Sequence, residues 1–531
     1  MLDHHNRSWG LCFEPLTSTL GMATCGRLIS NGGTEPLRYT SIGGALLTAL
    51  LSWTAASTPI PTAAGPLPNS ADSHPFGAAN HQRLSQDLDA LGYVEEEFFL
   101  SGLANVYDWT SEGPASIRTP DAPYTTRVLV RRPKSRDAFS GNIVVEMLNP
   151  SNLMDLNIGW AVSHKQFVRN GDAWVGVTSK PIAIVALKNF DPERYAPLSW
   201  DNPLAPDDAM NCGTIRGSVE GMENGLIWDI YSQLAAWLRS EESSNPFTYG
   251  AANPNHPAEQ LYGWGYSQTG SFLYTYINFV HPLIVQSDGR PPYDGYIVAV
   301  SSGPANINQC ATRLPRDDPR RHFRNVGVPV MRIMTQSDYL RTMAARRPDS
   351  DAQEDRFRNY EIAGSGHATP DELLYSASPA DMEQAGIAVP PMACNEGPRS
   401  RFPNSLFFNA ALRNLDRWVR DGLPAPRAEP IEVEDGKPVL DELGNVRGGV
   451  RSPYLDVPTS VWHGNSTGPS FCRIAGHEVP FDRERLRSLY PSHEVYVEAV
   501  TASVKDLVAQ RFIVQEDGDE IIKEATNAQI P

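Results

Sequence analysis

Ser267, Asp338 and His367 are the residues of this chain whose types, order and local settings best suit covalent catalysis. A serine hydroxyl is a poor nucleophile until a base within hydrogen-bond reach takes its proton. Imidazole titrates near neutral pH and can act as that base, and a carboxylate would fix its tautomer and stabilise the imidazolium that forms. The three residue types together predict acyl transfer through a serine-bound intermediate.

Ser267 lies in the segment GWGYSQTG, residues 263–270, between an apolar strand-like run and an apolar helix-like run. This setting is typical of a nucleophile elbow, a tight strand-to-helix turn that lifts the serine hydroxyl above a sheet. Gly265 provides the small residue that the turn needs two positions before the serine. Thr269 stands where a second glycine is usual, with Gly270 one position later, so the motif by itself also fits a serine that caps a helix.

Asp338 and His367 follow Ser267 in the order serine, acid, histidine that such a site uses. Asp338 comes just after the strand-like run VPVMRIM, 71 residues beyond the serine, and His367 lies 29 residues further on in the glycine-rich segment AGSGH. Taken alone, an aspartate in such a loop is usually a turn residue. The occurrence of all three at the ends of predicted strands favours a triad. Asp371 is too close to the histidine in sequence to be preferred as its orienting acid.

The charged oxygen of a tetrahedral intermediate needs two preorganised N–H donors. The first is expected to be the backbone N–H of Gln268, directly after the nucleophile. The second should come from the loop after the strand-like run IVVEML, which reads Asn149-Pro150-Ser151. Pro150 has no N–H, so Ser151 is the predicted donor and Asn149 the alternative. The sequence has no Cys/His cluster with zinc spacing, and no metal or cofactor is predicted.

Short apolar runs alternate with helix-like segments between about residue 125 and residue 420. Such alternation favours a mostly parallel sheet with helices on both faces. We therefore predict an α/β catalytic core over residues 76–425, a leader over residues 1–75, and a loop-rich extension over residues 426–531 that packs on the core and could form a cap. The strand-like runs are 127–131, 143–148, 174–178, 261–264, 296–300 and 328–334, and the helix-like segments are 160–169, 215–238, 272–280 and 404–420.

Residues 42–56 (IGGALLTALLSWTAA) form an uncharged, mostly apolar run. Its length is typical of the apolar part of a signal peptide and short of the ~20 residues that span a bilayer. Small residues at 55–57 and again at 63–64 could form a cleavage site. Because some forty residues precede the run, translation could start at Met22, or the run could be an uncleaved anchor. Secretion, or export to a periplasm, is the favoured interpretation.

The composition suits a folded globular protein, with 41% hydrophobic and 20% charged residues. The formal net charge of -17 opposes binding to nucleic acid phosphates and to anionic lipid, so neither nucleic acid nor a stable membrane partner is expected. Two of the six cysteines lie in the leader. The other four suit two disulfides in an oxidising compartment, with three connectivities open. They are Cys212, Cys310, Cys394 and Cys472.

Several segments together resemble a broad family of α/β-hydrolase-domain proteins, which are often secreted and esterase-like. They are 92–107 (GYVEEEFFLSGLANVY), 144–151 (VVEMLNPS), 176–181 (GVTSKP), 265–270 (GYSQTG), 328–338 (VPVMRIMTQSD), 363–367 (AGSGH), 410–422 (AALRNLDRWVRDG) and 444–453 (GNVRGGVRSP). The resemblance runs from about residue 90 to residue 531. It implies an α/β-hydrolase fold, esterase chemistry and, position by position, Ser267, Asp338 and His367 as the triad. Gln336 departs from the family pattern, in which an acidic residue is more usual.

These observations predict a secreted serine hydrolase that cleaves carboxylic esters, small or polymeric, through an acyl-enzyme. An acyltransferase, a lactonase or a polyester depolymerase could use the same triad, because one fold can host many chemistries. Two alternatives come from other classes of protein. One is a noncatalytic binding protein on a hydrolase scaffold, and the other is a scaffold anchored in a membrane through residues 42–56.

Overall fold

A ten-stranded sheet forms the centre of the computed structural model, which describes residues 57–213, 217–249, 258–339, 343 and 346–530. All of these residues fall in one unit, Ala55–Pro531. The strands are β1 (Thr62–Ala64), β2 (Tyr93–Asp108), β3 (Ser116–Pro133), β4 (Asn142–Met147), β5 (Ala173–Val177), β6 (Gln260–Tyr266), β7 (Gly295–Ala299), β8 (Val330–Thr335), β9 (Ser350–Ala352) and β10 (Asp355–Ile362). Their order across the sheet is β1-β2-β3-β5-β4-β6-β7-β8-β10-β9.

The six strands β5, β4, β6, β7, β8 and β10 run parallel to one another. The other four join antiparallel at the two sides of this block. Every residue of β4, β5, β7 and β8 is buried, which is why these strands appear in the sequence as mostly apolar runs without regular alternation. Since the block is parallel, its carboxyl ends meet at one edge, and the loops that follow them are neighbours.

Helices pack on both faces of this block. The α-helices with described bounds are α1 (Ile158–Asn170), α2 (Pro181–Phe190), α3 (Ile227–Leu238), α4 (Gln268–Thr275), α5 (Asp371–Leu374), α6 (Pro379–Gln384), α7 (Ser405–Arg420), α8 (Pro453–Asp456), α9 (Arg483–Leu489), α10 (His493–Ala509) and α11 (Gln515–Asn527). Successive residues of a strand point to opposite faces. In β6 a side chain at Gly263 would meet Tyr231 of α3, whereas the next residue, Trp264, contacts Phe408 of α7. The predicted mostly parallel sheet with helices on both faces is therefore confirmed.

The long antiparallel pair β2 and β3 carries charge inside the sheet. The acidic run Glu95–Glu97 of β2 faces arginines of β3, with the Arg127 Nε 2.5 Å from a Glu97 oxygen, the Arg131 Nε 2.7 Å from Glu95 and the Arg132 Nε 2.8 Å from Glu96. Arg127 and Arg131 are fully buried. A buried charge is tolerated only when it is paired and hydrogen-bonded, so these pairs let a charged run form a strand.

The segment 426–531 contacts the loop after β10, since the Ala368 N–H donates to the Ile474 carbonyl at 2.9 Å. Its small strand pair, β15 (Ser460–His463) and β16 (His477–Pro480), is antiparallel and is preceded in the chain by two further short pairs, β11 (Ala393–Cys394) with β12 (Gly397–Pro398) and β13 (Val433–Glu434) with β14 (Lys437–Pro438). In α11, Asp517 pairs with Arg169 of α1 and accepts from the Asn409 amide of α7. The division of the chain at residues 75 and 425 stays a prediction.

Two cysteine pairs lie at bonding distance, which selects one of the three open connectivities. The pairs are Cys212–Cys310 and Cys394–Cys472, separated by 98 and 78 residues in the sequence. Two such pairs are typical of a protein that folds outside the reducing cytoplasm. No described helix is long and apolar enough to cross a membrane. Residues 42–56, the predicted signal or anchor segment, lie outside the described residues.

Three segments differ from the sequence-based predictions. Of the predicted helix 215–238, residues 215–216 lie outside the described residues, and residues 217–238 form an α-helix only from Ile227, after a short 3-10 turn in which Glu223 accepts from the Gly225 N–H. Residues 181–190, which are not among the predicted helix-like segments, form α2, which begins with Pro181 in the first turn, where a proline is well tolerated. Residues 62–64, which fall within the predicted leader, pair with β2 as strand β1.

Candidate active site

Ser267 occupies a strained turn between β6 and α4. Its backbone has φ 56° and ψ -111°, a conformation that non-glycine residues rarely adopt. Such a conformation costs on the order of 1–3 kcal/mol and persists only where the surrounding structure imposes it. The serine side chain makes no hydrogen bond that caps the helix. The turn therefore has the shape of a nucleophile elbow and not of an ordinary helix cap.

The neighbours of Ser267 show why a threonine and a later glycine fit this turn. A side chain at Gly265 would overlap with the Thr269 carbonyl, and one at Gly270 would overlap with the Ala299 carbonyl of β7. Thr269 is fully buried, and its hydroxyl lies 3.1 Å from both the N and the O of Tyr266. The position that has to be small is thus Gly270, where the helix crosses β7, while the threonine hydroxyl closes the turn.

Asp338 and His367 lie beside this serine because their loops follow β8 and β10 at the same edge of the sheet. The His367 Nε2 is 2.8 Å from the Ser267 Oγ, and its Nδ1 is 2.9 Å from one Asp338 oxygen and 3.2 Å from the other. The Thr335 hydroxyl also donates to Asp338, at 2.6 Å. Asp338 is 2% exposed and His367 is 4% exposed. The structure thus brings the three predicted residues together in one hydrogen-bonded chain.

Backbone contacts hold the histidine loop in place. The Tyr266 hydroxyl donates to the His367 carbonyl at 2.6 Å, and the Asn404 amide donates to the Gly366 carbonyl at 2.8 Å. The Gln336 side chain, the departure from the family pattern, accepts from the Gly364 N–H at 2.7 Å. Sequence reasoning did not assign these tethering roles, because each contact joins residues that lie far apart in the chain.

The predicted oxyanion donors lie on two neighbouring loops. Gln268 is the first residue of α4, where backbone N–H groups have no partner within the helix. The Ser151 hydroxyl lies 3.3 Å from the Gln268 side-chain oxygen, so the two loops touch. The Ser151 N–H donates to the Asn149 side chain at 2.8 Å, and the Asn149 N–H donates to the Leu156 carbonyl at 2.8 Å. The second donor therefore stays a prediction, and the N–H of either residue would first have to leave its present partner.

A second carboxyl group lies near the imidazole. Glu372, in α5, interacts electrostatically with His367 and accepts from the Thr369 N–H at 3.1 Å. Burial raises the pKa of Glu372 to about 7, against the opposing effects of His367, this hydrogen bond and Arg399. The group therefore titrates near neutral pH. No motif in the sequence marked Glu372, because it is close to His367 only through the fold of the loop.

One group of side chains in the described part of the chain has the residue types of a metal site. His74, His81 and Asp381 offer ligand atoms that all lie within 4.8 Å of one another. The two imidazoles are stacked, with centroids 3.5 Å apart and planes 17° from parallel. An ion binds an imidazole in the plane of the ring, so it could not lie in the planes of two rings stacked face to face. The geometry is that of a packed histidine pair beside a carboxylate.

Residues 45–523 match a family model described as "Alpha/beta hydrolase domain". A search of the curated proteins gives no match. Similar solved structures include a serine hydrolase without lid from Xanthomonas campestris, esterase 2 of Thermogutta terrifontis, and LpqC, a poly(3-hydroxybutyrate) depolymerase from Bordetella parapertussis. The first is 10% identical with a TM-score of 0.24, over 50% of this chain and 92% of its own. The second is 8% identical with a TM-score of 0.26, over 49% of this chain and 81% of its own. The third is 12% identical with a TM-score of 0.24, over 57% of this chain and 86% of its own. At these values the similarities do not bear on activity or substrate.

Proposed function

Because the chain belongs to the alpha/beta hydrolase domain family, we propose that it is a serine hydrolase that cleaves carboxylic esters through an acyl-enzyme. Ser267 is the nucleophile, His367 the general base and Asp338 the acid that orients the histidine. The observation that carries this proposal is the continuous chain of contacts from Asp338 through His367 to the Ser267 hydroxyl, on a serine with a positive φ.

The reaction starts when the Ser267 oxygen attacks the ester carbonyl carbon and His367 Nε2 takes the hydroxyl proton. The negative charge on the carbonyl oxygen would be stabilised by the Gln268 N–H and a second donor from the loop that contains Ser151. When the intermediate collapses, the bond to the alcohol oxygen breaks and His367 returns the proton to that oxygen. Water then attacks the acyl-enzyme with His367 as base, which releases the acid and restores the serine.

Asp338 makes this proton transfer effective without itself being protonated. The carboxylate near Nδ1 keeps that nitrogen protonated, so that Nε2 presents its lone pair to the serine. Both Asp338 oxygens lie within hydrogen-bond distance of Nδ1, and the Thr335 hydroxyl fixes one of them. In this buried setting the imidazolium that forms in the transition state has a negative partner close by, which is worth more than the same pair in water.

The test is covalent labelling and turnover with matched serine variants. A fluorophosphonate probe forms a phosphorus–oxygen bond to an activated serine and releases fluoride, and p-nitrophenyl butyrate reports turnover. We expect the parent chain and Ser302→Ala to be labelled and active, because Ser302 follows the neighbouring strand β7 and takes no part in the relay. Ser267→Ala should not be labelled and should lose kcat by about 10⁴- to 10⁶-fold. Equal labelling of Ser267→Ala would refute the nucleophile assignment, and a folded parent chain without labelling or turnover would favour a noncatalytic binding protein.

We further propose that the protein acts outside the cytoplasm. The two cysteine pairs at bonding distance support this, since disulfides persist in oxidising compartments. Sequencing the N-terminus of the protein recovered from the native host medium or periplasm should give a start after residues 55–57 or after residues 63–64. Recovery of the intact N-terminus in the cytoplasmic fraction would contradict the proposal.

A further inference from the structure

Arg399 is a buried cation without a partner for its hydrogen-bonding edge. It is 3% exposed, and in the described part of the chain neither its Nε nor its Nη2 has a hydrogen-bond partner. The other described buried arginines differ in this respect, because each of their guanidinium groups makes at least two hydrogen bonds. They are Arg127, Arg131, Arg332 and Arg358. Buried guanidinium donors left without hydrogen bonds are costly, so this edge of Arg399 is suited to binding a ligand.

Arg399 lies on the histidine side of the candidate active site. The next residue, Ser400, donates its N–H to the Gly476 carbonyl at 3.1 Å, and the Ala368 N–H, one residue after His367, donates to the Ile474 carbonyl at 2.9 Å. The segment 474–476 thus connects the segment that contains Arg399 to the loop that contains His367. Glu372 interacts electrostatically with both His367 and Arg399. The guanidinium is therefore a neighbour of the loop from which the imidazole reaches the serine.

We propose that Arg399 forms a carboxylate-binding subsite, so that the esters preferred by this site bear a free carboxylate group. This inference rests on the proposed function for the reaction but not for the binding. The two unpartnered nitrogens, Nε and Nη2, form the side-on edge of the guanidinium. That edge matches the two oxygens of a carboxylate and allows two parallel, charge-assisted hydrogen bonds. A neutral ester would leave both donors unpaired.

The negative net charge of the protein means that a carboxylate ligand needs a specific positive side chain to bind. With a formal net charge of -17 the protein as a whole repels anions. Glu372 adds a further local negative charge when it is ionised, and its pKa near 7 means that the carboxyl is partly protonated at neutral pH. Ionised Glu372 interacts favourably with Arg399 and would compete with a bound carboxylate for it, whereas the protonated form would not. Preference for carboxylate esters should therefore increase as pH falls through about 7.

The experiment compares matched esters in matched arginine variants. One pair is 4-acetoxybenzoate and its methyl ester, in which the charge is on the leaving group. The other is 4-nitrophenyl hydrogen glutarate and 4-nitrophenyl butyrate, in which it is on the acyl group. The ratio of kcat/KM for the charged ester to that for the neutral ester is compared between variants, so that differences in intrinsic reactivity cancel. The control is Arg401→Gln, because Arg401 is two residues away, 65% exposed and bound to Glu478.

We expect Arg399→Gln to lower this ratio by about 10- to 100-fold for at least one pair, with the neutral ester changed little. Arg399→Lys should restore only part of the ratio, because an ammonium keeps the charge but lacks the planar fork. Arg401→Gln should leave the ratio unchanged. Equal ratios in the parent and Arg399→Gln, or equal losses on charged and neutral esters, would overturn the subsite. If Arg399→Gln does not fold, the same ratio is compared between the parent and Arg399→Lys. A lower ratio in Arg399→Lys then supports the subsite, and an equal ratio overturns it.

Binding separates this inference from the proposed function. Calorimetric titration of Ser267→Ala with 4-acetoxybenzoate measures binding without turnover, and the double variant with Arg399→Gln is its control. Binding that depends on Arg399 supports the subsite even when no ester is hydrolysed. Binding that is equal in the two variants, or absent from both, overturns the subsite even when the parent chain is an active esterase.

Discussion

The disulfide Cys394–Cys472 is expected to stabilise the fold and to hold the carboxylate subsite. Cys394 lies five residues before Arg399, and Cys472 lies two residues before the segment 474–476 that contacts both Ser400 and the histidine loop. The perturbation is the double variant Cys394→Ser and Cys472→Ser. Its counterpart, Cys212→Ser and Cys310→Ser, removes the other pair. The two double variants test whether the effect on the site depends on which pair is lost.

The magnitude follows from the length of chain that each disulfide closes. A cross-link reduces the entropy of the unfolded chain by an amount that grows with the logarithm of the loop length. For the separation of 78 residues the loss on removal is about 4.5 kcal/mol, and for 98 residues it is about 4.7 kcal/mol. The two variants should therefore be destabilised almost equally.

Urea unfolding followed by tryptophan fluorescence measures the change in stability, and alkylation with mass spectrometry before and after reduction checks that both pairs are oxidised in the parent. The ester ratio defined above measures the site. We expect only the variant without Cys394–Cys472 to lose carboxylate preference while still folded. A loss of stability below about 1 kcal/mol would refute the entropy argument, and an equal loss of preference in both variants would refute the link to Arg399.

Three further predictions concern the elbow and the core. Tyr266→Phe removes the hydroxyl that donates to the His367 carbonyl; we expect kcat to fall about 10-fold with little change in KM, and steady-state kinetics would contradict this if KM alone changed. Gly265→Ala should prevent stable folding because its side chain would overlap with backbone, whereas Gly213→Ala, which meets nothing within 4 Å, should fold normally; thermal unfolding compares them. Burial raises the pKa of Glu146 to about 8, so the unfolded chain loses this proton at lower pH than the folded protein does. The free energy of unfolding should therefore fall by up to about 5 kcal/mol as pH rises from 4.5 to 8. Urea titrations across this window should show a flatter profile for Glu146→Gln, and a parent profile that rises with pH would contradict the assignment.

Parts of the fold that depend on local apolar pattern could be predicted from the sequence. The strand-like runs at 143–148, 174–178 and 328–334 correspond to β4, β5 and β8 to within two residues at each end, because strands buried on both faces are mostly apolar and show no alternation with solvent-facing polar residues. The order of Ser267, Asp338 and His367 predicts that the three residues lie together for a related reason. Each follows such a strand, so a parallel sheet has to bring them to one edge.

The remaining features depend on contacts between distant parts of the chain. The run Glu95–Glu97 does not look like a strand until the arginines of β3 lie opposite it. Helix α2 is apolar on most sides, and six of its ten residues are buried, so it shows little helical periodicity. Ser151 was chosen as a donor because it has an N–H, but the sequence could not show that the Asn149 side chain accepts that N–H. Arg399 gave no signal, since an unpaired guanidinium is defined only by its surroundings.

The short strand β1 has a consequence for how the N-terminus can be processed. Its residues Thr62–Ala64 pair with Phe99–Ser101 of β2, at one end of the ten-stranded sheet. An uncovered edge strand presents backbone donors and acceptors to other chains and promotes aggregation. Cleavage after Ala56 would leave this cover in place, whereas cleavage after Ala64 would remove it and expose the middle of β2, a strand of 16 residues, as the edge of the sheet. Of the two predicted cleavage regions, the earlier one gives the mature protein the better-protected sheet.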